Sequence, residues 1–392
     1  PKTPFFFEHV PCVTIYGHDG KSVHLPKKSK VVLTEFGKDP DLHSILSKLY
    51  HYIPKDTYGP ALMYPKKING VYKSPYNTFV KSLGNTRCLE RSVMNQVVEE
   101  ISEYIISELG KRGVTKLNPW TVRDVVNGNK DNAYVRKINP TTSAGYGYAG
   151  TKGDHMIVLD DDDCSVVREP TELVQEDLVF NIDRYRSMES VGYIYKVALK
   201  DEPRTLAKIE AAKTRPFCVA SITSILHYKM LLGDFYTVMM NFGDIFMSEV
   251  GVDMHREAHL LYERLTHFPN RIDGDWESFD TRAVFDVIWQ VCSIIYKVLV
   301  HFGFNDQAIT QCLGLFTDNC FTFLVLNGVL FLVPGYQGSG MWATARNNGL
   351  RNLVMFVYAF RHDPSNATRR FFDHVKLSLY GDDVGGGVSD EV

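Results

Sequence analysis

The sequence predicts a mixed α/β protein of the α+β kind, and three observations point there. Long stretches such as 90–109 read as helices: Met94, Val97, Val98, Ile101, Ile105 and Leu109 recur at three- and four-residue steps, and Gly110 follows as the closing residue. Short β-branched and aromatic runs read as strands, among them a hairpin over 320–333 around Asn327-Gly328 and another over 375–388 around Gly381-Asp382. The two kinds of element alternate irregularly, without the repeating βα units of a dinucleotide-binding fold or a barrel.

In chain order, the stretch up to 34 reads as strand and loop, ending in a strand over 31–34. A short helix is expected over 41–50. Residues 51–85, rich in Pro, Gly, Tyr and Lys, read as loop. After the 90–109 helix, a short helical stretch covers 120–126 and a polar, glycine-rich loop covers 139–153. Four successive aspartates, Asp160 to Asp163, read as a solvated loop in preference to a metal site. A helix over 173–188, strands over 194–199 and 217–221, and a long apolar helix over 225–242 follow. A further helix, 252–265, leads into the acid-rich segment 272–280. Helices over 284–302 and 339–360 flank the 320–333 hairpin.

The chain has 392 residues, enough for two or three subdomains with sizeable cores. Hydrophobic residues make up 44% and charged residues 23%, a globular balance. The net charge is −3, so no global basic field advertises nucleic acid; basic groups are local instead. Lys21, Lys27, Lys28 and Lys30 stand together without an acid, and residues 196–215 hold six Lys/Arg against three acids. The seven cysteines form no CxxC pair, which reads as reduced, mostly buried thiols. No apolar run reaches spanning length and no signal peptide is visible. The chain starts at Pro1, so the reading at this point is a piece cut or excerpted from something longer.

Five constellations carry chemistry. Tyr380-Gly381-Asp382-Asp383 places adjacent acids at the tip of a hairpin, where they repel unless a hard cation joins them. Upstream, a strand from Arg271 places Asp275 at its end, with Asp280 five residues on; Asp275 and Asp382 can share a metal if their strands are neighbours. Gly335 to Asn348 is a glycine-rich loop opening a helix, with Ser339 as a candidate N-cap and with Thr344 and Asn348 on one face. Lys200, Arg204, Lys213 and Arg215 are spaced to clamp phosphate or a nucleic-acid backbone, although a solvated charged face is the commoner outcome of such a run. A last loop, Thr142-Ser143-Ala144-Gly145-Tyr146, combines close backbone approach with an aromatic ring able to stack on a base.

Taken in order, Ser143–Tyr146, Lys200–Arg215, Asp275–Asp280, Ser339–Asn348 and Tyr380–Asp383 resemble the motif series of a viral RNA-dependent RNA polymerase of the picornavirus-like supergroup. The resemblance implies a right-hand fold. Fingers would occupy 1–231 and 283–334, and a palm built on a ferredoxin-like sheet would hold 232–282 and 335–392, with Lys27–Lys30 near the template entry. It implies RNA-directed RNA synthesis for a positive-strand RNA virus by a two-metal mechanism, with Mg²⁺ as cofactor and Mn²⁺ as a substitute. Asp275, Asp382 and Asp383 would be the catalytic acids and metal ligands. Lys200, Arg204, Lys213 and Arg215 would hold the incoming triphosphate; Asp280, Ser339, Thr344 and Asn348 would sense its ribose. Thr142, Ser143, Ala144, Gly145, Tyr146 and Gly340 would meet the RNA template. Partners would be template and primer RNA, ribonucleoside triphosphates and other viral replication proteins, at membrane-associated replication complexes in the host cytoplasm.

The same resemblance implies more chain than this one shows: a further palm motif with its lysine, a primer-gripping hairpin and a thumb would follow Val392. The expectation is an incomplete polymerase with little elongation activity alone. Two alternatives stand beside it. A reverse transcriptase carries a different residue in place of Gly381 and a bulky aromatic in place of Asp280. A non-catalytic RNA-binding remnant would not need Asp275, Asp382 and Asp383 all intact.

Overall fold

The computed structural model describes residues 10–18, 29–31, 44, 58–83, 87–129, 132, 134–162, 165–282 and 285–392. Lys21, Lys27 and Lys28, the 32–34 part of the first predicted strand, and the 41–50 helix apart from Ser44 lie outside the described residues.

Two sheets organise the rest. The larger has five strands in the order Thr14–His18, Val329–Pro334, Phe321–Leu326, Ile194–Leu199, Pro216–Val219. Its middle is the hairpin expected from Asn327-Gly328. Both turn residues take positive φ, 52° and 82°, as a type I′ turn requires, and Leu326 pairs with Val329 across it. Phe321–Leu326 then runs parallel to Ile194–Leu199, which pairs antiparallel with Pro216–Val219. That last strand borders the glycine-rich loop: the Cys218 amide donates to the Ser339 carbonyl at 2.6 Å.

The smaller sheet has three antiparallel strands, in the order Asn270–Gly274, Asp383–Val388, Val375–Tyr380. Residues 247–249 run beside its Val375–Tyr380 edge. The Leu379 amide donates to the Met247 carbonyl and the Glu249 amide to the Leu379 carbonyl, each at 2.9 Å. Strand alternation sends Leu377 and Leu379 to one face and Ser378 to the other. Helix Thr344–His362 packs on the Leu379 face, where a Cβ at Gly349 would stand 3.9 Å from Leu379 Cβ. Helix Ala258–Leu265 packs on the opposite face. A Cβ at Gly385 would stand 3.0 Å from Leu265 Cδ2, so the glycine permits that approach. On the same face Ser378 Oγ donates to Glu249 Oε1 at 2.7 Å, and Arg264 pairs with the same oxygen at 2.6 Å.

The main hydrophobic core takes in residues of both sheets, and a smaller one gathers Val125, Ile138, Val174 and Leu226. Helix Arg91–Lys111 lies against Phe285–His301 and Thr344–His362, and its Met94, Val97, Ile101, Ile105 and Leu109 are at most 1% exposed. Each such side chain contributes about 2 kcal/mol of burial.

The structure differs from the sequence reading at several boundaries. Helix Arg91–Lys111 runs through Gly110, and the residue that breaks it is Gly113 (φ 84°), after which the Val114 amide returns to the Leu109 carbonyl at 3.0 Å. Asp306–Cys320 is a further helix, beyond those expected from the sequence. Its signals were Asn305, whose side chain accepts from the Ala308 amide, and the 308/312/315/316 apolar spacing. The aspartate run is in a strand: Met156–Asp162 pairs with Ser165–Pro170, while Asp163 lies outside the described residues. Residues 252–257 form turns, and the helix starts at Ala258. Cys218, Cys292, Cys312 and Cys320 are buried thiols, whereas Cys12 and Cys88 are exposed. Among the described residues no helix is long and apolar enough to cross a membrane.

Candidate active site

The 375–388 hairpin turns over two residues, Gly381 and Asp382, between the paired Tyr380 and Asp383. Gly381 has φ 66° while Asp382 does not share the positive φ, the arrangement of a type II′ turn. Space is not what requires glycine there, because a Cβ would meet nothing within 4 Å; the backbone conformation is. The turn is held from below. Asn352, fully buried in helix Thr344–His362, donates from Nδ2 to the Gly381 carbonyl at 2.7 Å.

The neighbouring strand supplies the third acid. Gly274 pairs with Val384, so Asp275 follows directly at the same end of the sheet, in line with Asp383. The strand beside Asp275 is therefore the one that begins at Asp383, not the one that ends before Asp382. Asp275, Asp382 and Asp383 are all exposed to solvent. An oxygen-only donor set on a wet sheet edge suits a hard divalent cation and suits zinc poorly. Among the described residues no three His, Cys, Asp or Glu side chains converge closely enough to enclose an ion, so the carboxylates share an edge without forming a closed cage.

Behind this edge sits a second, drier cluster. Asp280 Oδ2 accepts from both the amide (3.1 Å) and the hydroxyl (3.0 Å) of Ser339, tying the short helix Phe279–Arg282 to the glycine-rich loop. Asn348 is 4% exposed and accepts through Oδ1 from Arg351 Nη1 at 2.9 Å. Arg351 is itself 2% exposed. Its Nη2 donates to the Phe279 carbonyl at 3.2 Å, and its guanidinium lies over the Phe279 ring, 4.3 Å from the centroid. Burial lowers the Arg351 pKa to about 10, and the acids Asp280 and Asp382 oppose that shift, so the side chain stays charged at neutral pH.

The glycine-rich loop is packed by the protein itself. The helix begins at Thr344 after Ala343 (φ 59°), so Ser339 is not its N-cap. Thr344 Oγ1 is directed back to the carbonyls of Gly338 (3.0 Å) and Met341 (2.8 Å). Gly340 (φ 91°) was expected to admit a nucleic-acid backbone. A Cβ there would stand 2.3 Å from the Cys218 carbonyl, so the fold's own strand Pro216–Val219 occupies that space and requires the glycine.

The basic segment is partly neutralised from within. Arg204 pairs with Glu202 at 3.3 Å and donates to the Lys213 carbonyl at 3.2 Å; Arg215 approaches the same Glu202 oxygen at 4.0 Å. The Lys200 amide donates to the Arg215 carbonyl at 2.8 Å, which aligns the two ends of the segment. Lys213 and Arg215 are exposed, Lys200 and Arg204 half-buried. In the 142–146 loop, Ala144 is fully buried and accepts from the Ile222 amide at 2.8 Å. A Cβ at Gly145 would stand 2.4 Å from the Ala220 carbonyl. Thr142 and Ser143 stay exposed and are gripped by Lys152, whose Nζ donates to Thr142 Oγ1 (2.7 Å) and the Ser143 carbonyl (2.8 Å). Tyr146 lines a cleft of about 270 Å³ with Tyr148, Lys196 and Asn327.

The structure thus brings Asp275, Asp382 and Asp383 to one edge, joins Asp280 to Ser339, and sets Asn348 on Arg351. The basic segment bonds to the N-terminal part of the chain, through Asp201 to the Lys30 amide (2.5 Å) and Thr214 to the Leu62 carbonyl (2.7 Å), and the 142–146 loop bonds to Ile222. Arg351, Asn352 and Lys152 are not among the residues singled out by the sequence, and Lys196 is there only as one cation of the basic segment. Arg351 and Asn352 carry a signal in their three- and four-residue spacing from Asn348; Lys152 carries none, because its bonds to Thr142 and Ser143 are set by how the loop folds back.

Residues 94–392 match the family model described as viral RNA-dependent RNA polymerase. The chain is 23% identical over 391 residues to a replicase polyprotein of Drosophila C virus, covering 93% of this chain and 22% of that one. It is 23% identical over 372 residues to a genome polyprotein of Cosavirus A, covering 93% and 16%. It is 27% identical over 272 residues to a genome polyprotein of Human rhinovirus C, covering 68% and 11%. The chain therefore spans less than a quarter of the length of these relatives. Among solved structures, a Sicinivirus 3Dpol RNA-dependent RNA polymerase superposes with a TM-score of 0.74 at 18% identity, covering 94% of this chain and 70% of that one, which establishes a shared right-hand polymerase fold. The family match begins inside helix Arg91–Lys111 and runs to the last residue, well over half the sequence, and the chain belongs to the viral RNA-dependent RNA polymerases, on their picornavirus-like side.

Proposed function

We propose that this chain carries the nucleotidyl-transfer centre of an RNA-directed RNA polymerase that copies a positive-strand viral genome. Polymerases of this family generally work with divalent metal ions, RNA and nucleoside triphosphates. The observation that supports the reading most is the register of the small sheet: Gly274 opposite Val384 aligns Asp275 with Asp383, and Asp382 sits in the adjoining turn. Asp275, Asp382 and Asp383 would hold Mg²⁺, with Mn²⁺ as a substitute. Bound there, such ions supply activation of an attacking hydroxyl and charge stabilisation at phosphorus.

The chain's own residues do the rest. Arg215 and Lys213, exposed, with Lys200 and Arg204 behind them, bind and orient the triphosphate. Asp280 and Asn348 face the ribose as acceptor and donor, held by Ser339 and Arg351. Thr142, Ser143 and Tyr146 guide the template strand past the rigid Ala144-Gly145 anchor. Other viral replication proteins and a membrane-associated site in the host cytoplasm belong to the same proposal.

The test is Asp382→Ala in the full-length polymerase containing this chain. Primer extension falls about a thousandfold or more while RNA affinity stays within about twofold. Extension near the unmodified rate would sink the assignment, and so would a preference for deoxynucleotides by the unmodified enzyme.

A further inference from the structure

Arg351 is the least expected residue near the centre. A fully buried guanidinium carries a desolvation cost unless the site uses its charge and geometry. Its surroundings account for only part of its donors. Nη1 reaches Asn348 Oδ1, Nη2 reaches the Phe279 carbonyl, and the Phe279 ring lies beneath the plane, whereas Nε is buried without a partner. The guanidinium therefore touches both elements that carry the ribose-facing groups: the helix of Asn348 and the segment of Asp280, the residue after Phe279.

The chemistry of that contact has a direction. A guanidinium only donates, so the Asn348 amide must turn its oxygen toward Arg351 and leave its NH₂ as the group available to a ligand. Without Arg351 the amide could present either end. Asp280 is fixed in the complementary sense: both Ser339 bonds fall on Oδ2, which leaves Oδ1 as an acceptor among the described residues. A donor on the helix and an acceptor on the segment that Arg351 ties to it match a hydroxyl, which accepts and donates at once.

We propose that Arg351 is a positioning residue for sugar selection, acting by holding the Asn348 amide with its donors toward the 2′-hydroxyl of the incoming nucleotide. This rests on the polymerase reading above and goes beyond it, because it moves part of the selectivity from the ribose-facing side chains to a buried cation that touches no substrate.

The experiment is single-nucleotide incorporation by the full-length polymerase with matched rNTP and dNTP, recording kcat/KM for each with a thermal melt on every variant. Arg351→Lys keeps the charge but not the two-pronged fork. It is expected to lower the rNTP/dNTP ratio about tenfold, mainly through the KM of the ribonucleotide, with dNTP incorporation nearly unchanged. Asn348→Ala is expected to lower the ratio at least as much, and Arg351→Lys added to Asn348→Ala is expected to change it no further. An unchanged ratio in folded Arg351→Lys, or a full additional loss in the double variant, overturns the positioning role. An unchanged ratio in Asn348→Ala overturns the ribose reading itself, which separates the two failures. Should Arg351→Lys not fold, Phe279→Leu takes its place, since it keeps the arginine and the residue-279 carbonyl that accepts from it but removes the ring that steadies the guanidinium. A two- to threefold loss of about the same kind is expected there, and no change counts against the proposal.

Discussion

The carboxylate edge and the cluster behind it are neighbours in sequence and space, yet they are built on opposite terms. Asp275, Asp382 and Asp383 are exposed, and the fold holds them only through backbone: a strand register and a two-residue turn. Asp280, Ser339, Asn348 and Arg351 are half-buried or buried and bonded to one another. Side chains that stay exposed and lack internal partners can be replaced at little cost to the fold. Side chains that satisfy each other away from water cannot, because removing one strands its partner. Chemistry at the edge and selectivity in the cluster should therefore respond differently to substitution.

The sharpest way to break that contrast is at the edge. Asp275→Asn, like Asp382→Ala, should lower primer extension by about a thousandfold while unfolding free energy stays within about 0.5 kcal/mol. A loss of stability comparable to a core substitution would mean that the acids are structural. The opposite case is Gly340→Ala, where the new Cβ would meet the Cys218 carbonyl at 2.3 Å with φ at 91°. Chemical unfolding should show a loss of about 3 kcal/mol or more. Activity should fall only as the folded fraction does.

Burial without catalysis can be isolated at His227. It is fully buried between the Tyr193 hydroxyl (3.0 Å) and Gln311 Oε1 (3.1 Å), and burial lowers its pKa to about 4. The unfolded chain thus binds a proton between about pH 6.5 and 4 that the folded chain refuses. This group's contribution is fully present above pH 6.5 and is lost as pH falls through 4, up to about 3 kcal/mol. His227→Gln should flatten the acid limb of the stability–pH curve by that amount, and an unchanged limb would exclude the histidine as its source. The smallest effect is expected at Gly381→Ala. Nothing crowds the position, so only the left-handed backbone resists, at about 1 kcal/mol. A cost as large as that at Gly340 would mean that the turn is more tightly enclosed than its surroundings indicate.

Much of this was legible in advance where a local rule applies. Asn327-Gly328 demands one kind of turn and forms it, with both residues at positive φ. The 94/97/98/101/105/109 spacing demands a buried helical stripe and produces one. Boundaries were less legible. Gly110 is an acceptable helix residue once its neighbours are packed, and the break falls at Gly113, where φ must reverse. Helix Thr344–His362 starts later than its polar spacing suggested, because Ser339 is engaged by Asp280, far away in sequence. Gly340 was read as an opening for nucleic acid; only the folded chain reveals the Cys218 carbonyl pressed against it.

By itself, then, the sequence determined which groups are available: three acids near two turns, a spaced set of cations, a glycine-rich loop and the helices and strands that carry them. These follow from short-range rules of backbone conformation and side-chain chemistry. Tertiary structure alone decided that Asp275 stands in line with Asp383, that Glu202 shares its charge between Arg204 and Arg215, and that Arg351 is buried against Asn348 and Phe279. The strand register and the burial of Arg351 against Phe279 depend on which distant surfaces meet when the core closes; the short-range pairs Arg351–Asn348 and Arg204–Glu202 are allowed by spacing, but only the fold decides that they form.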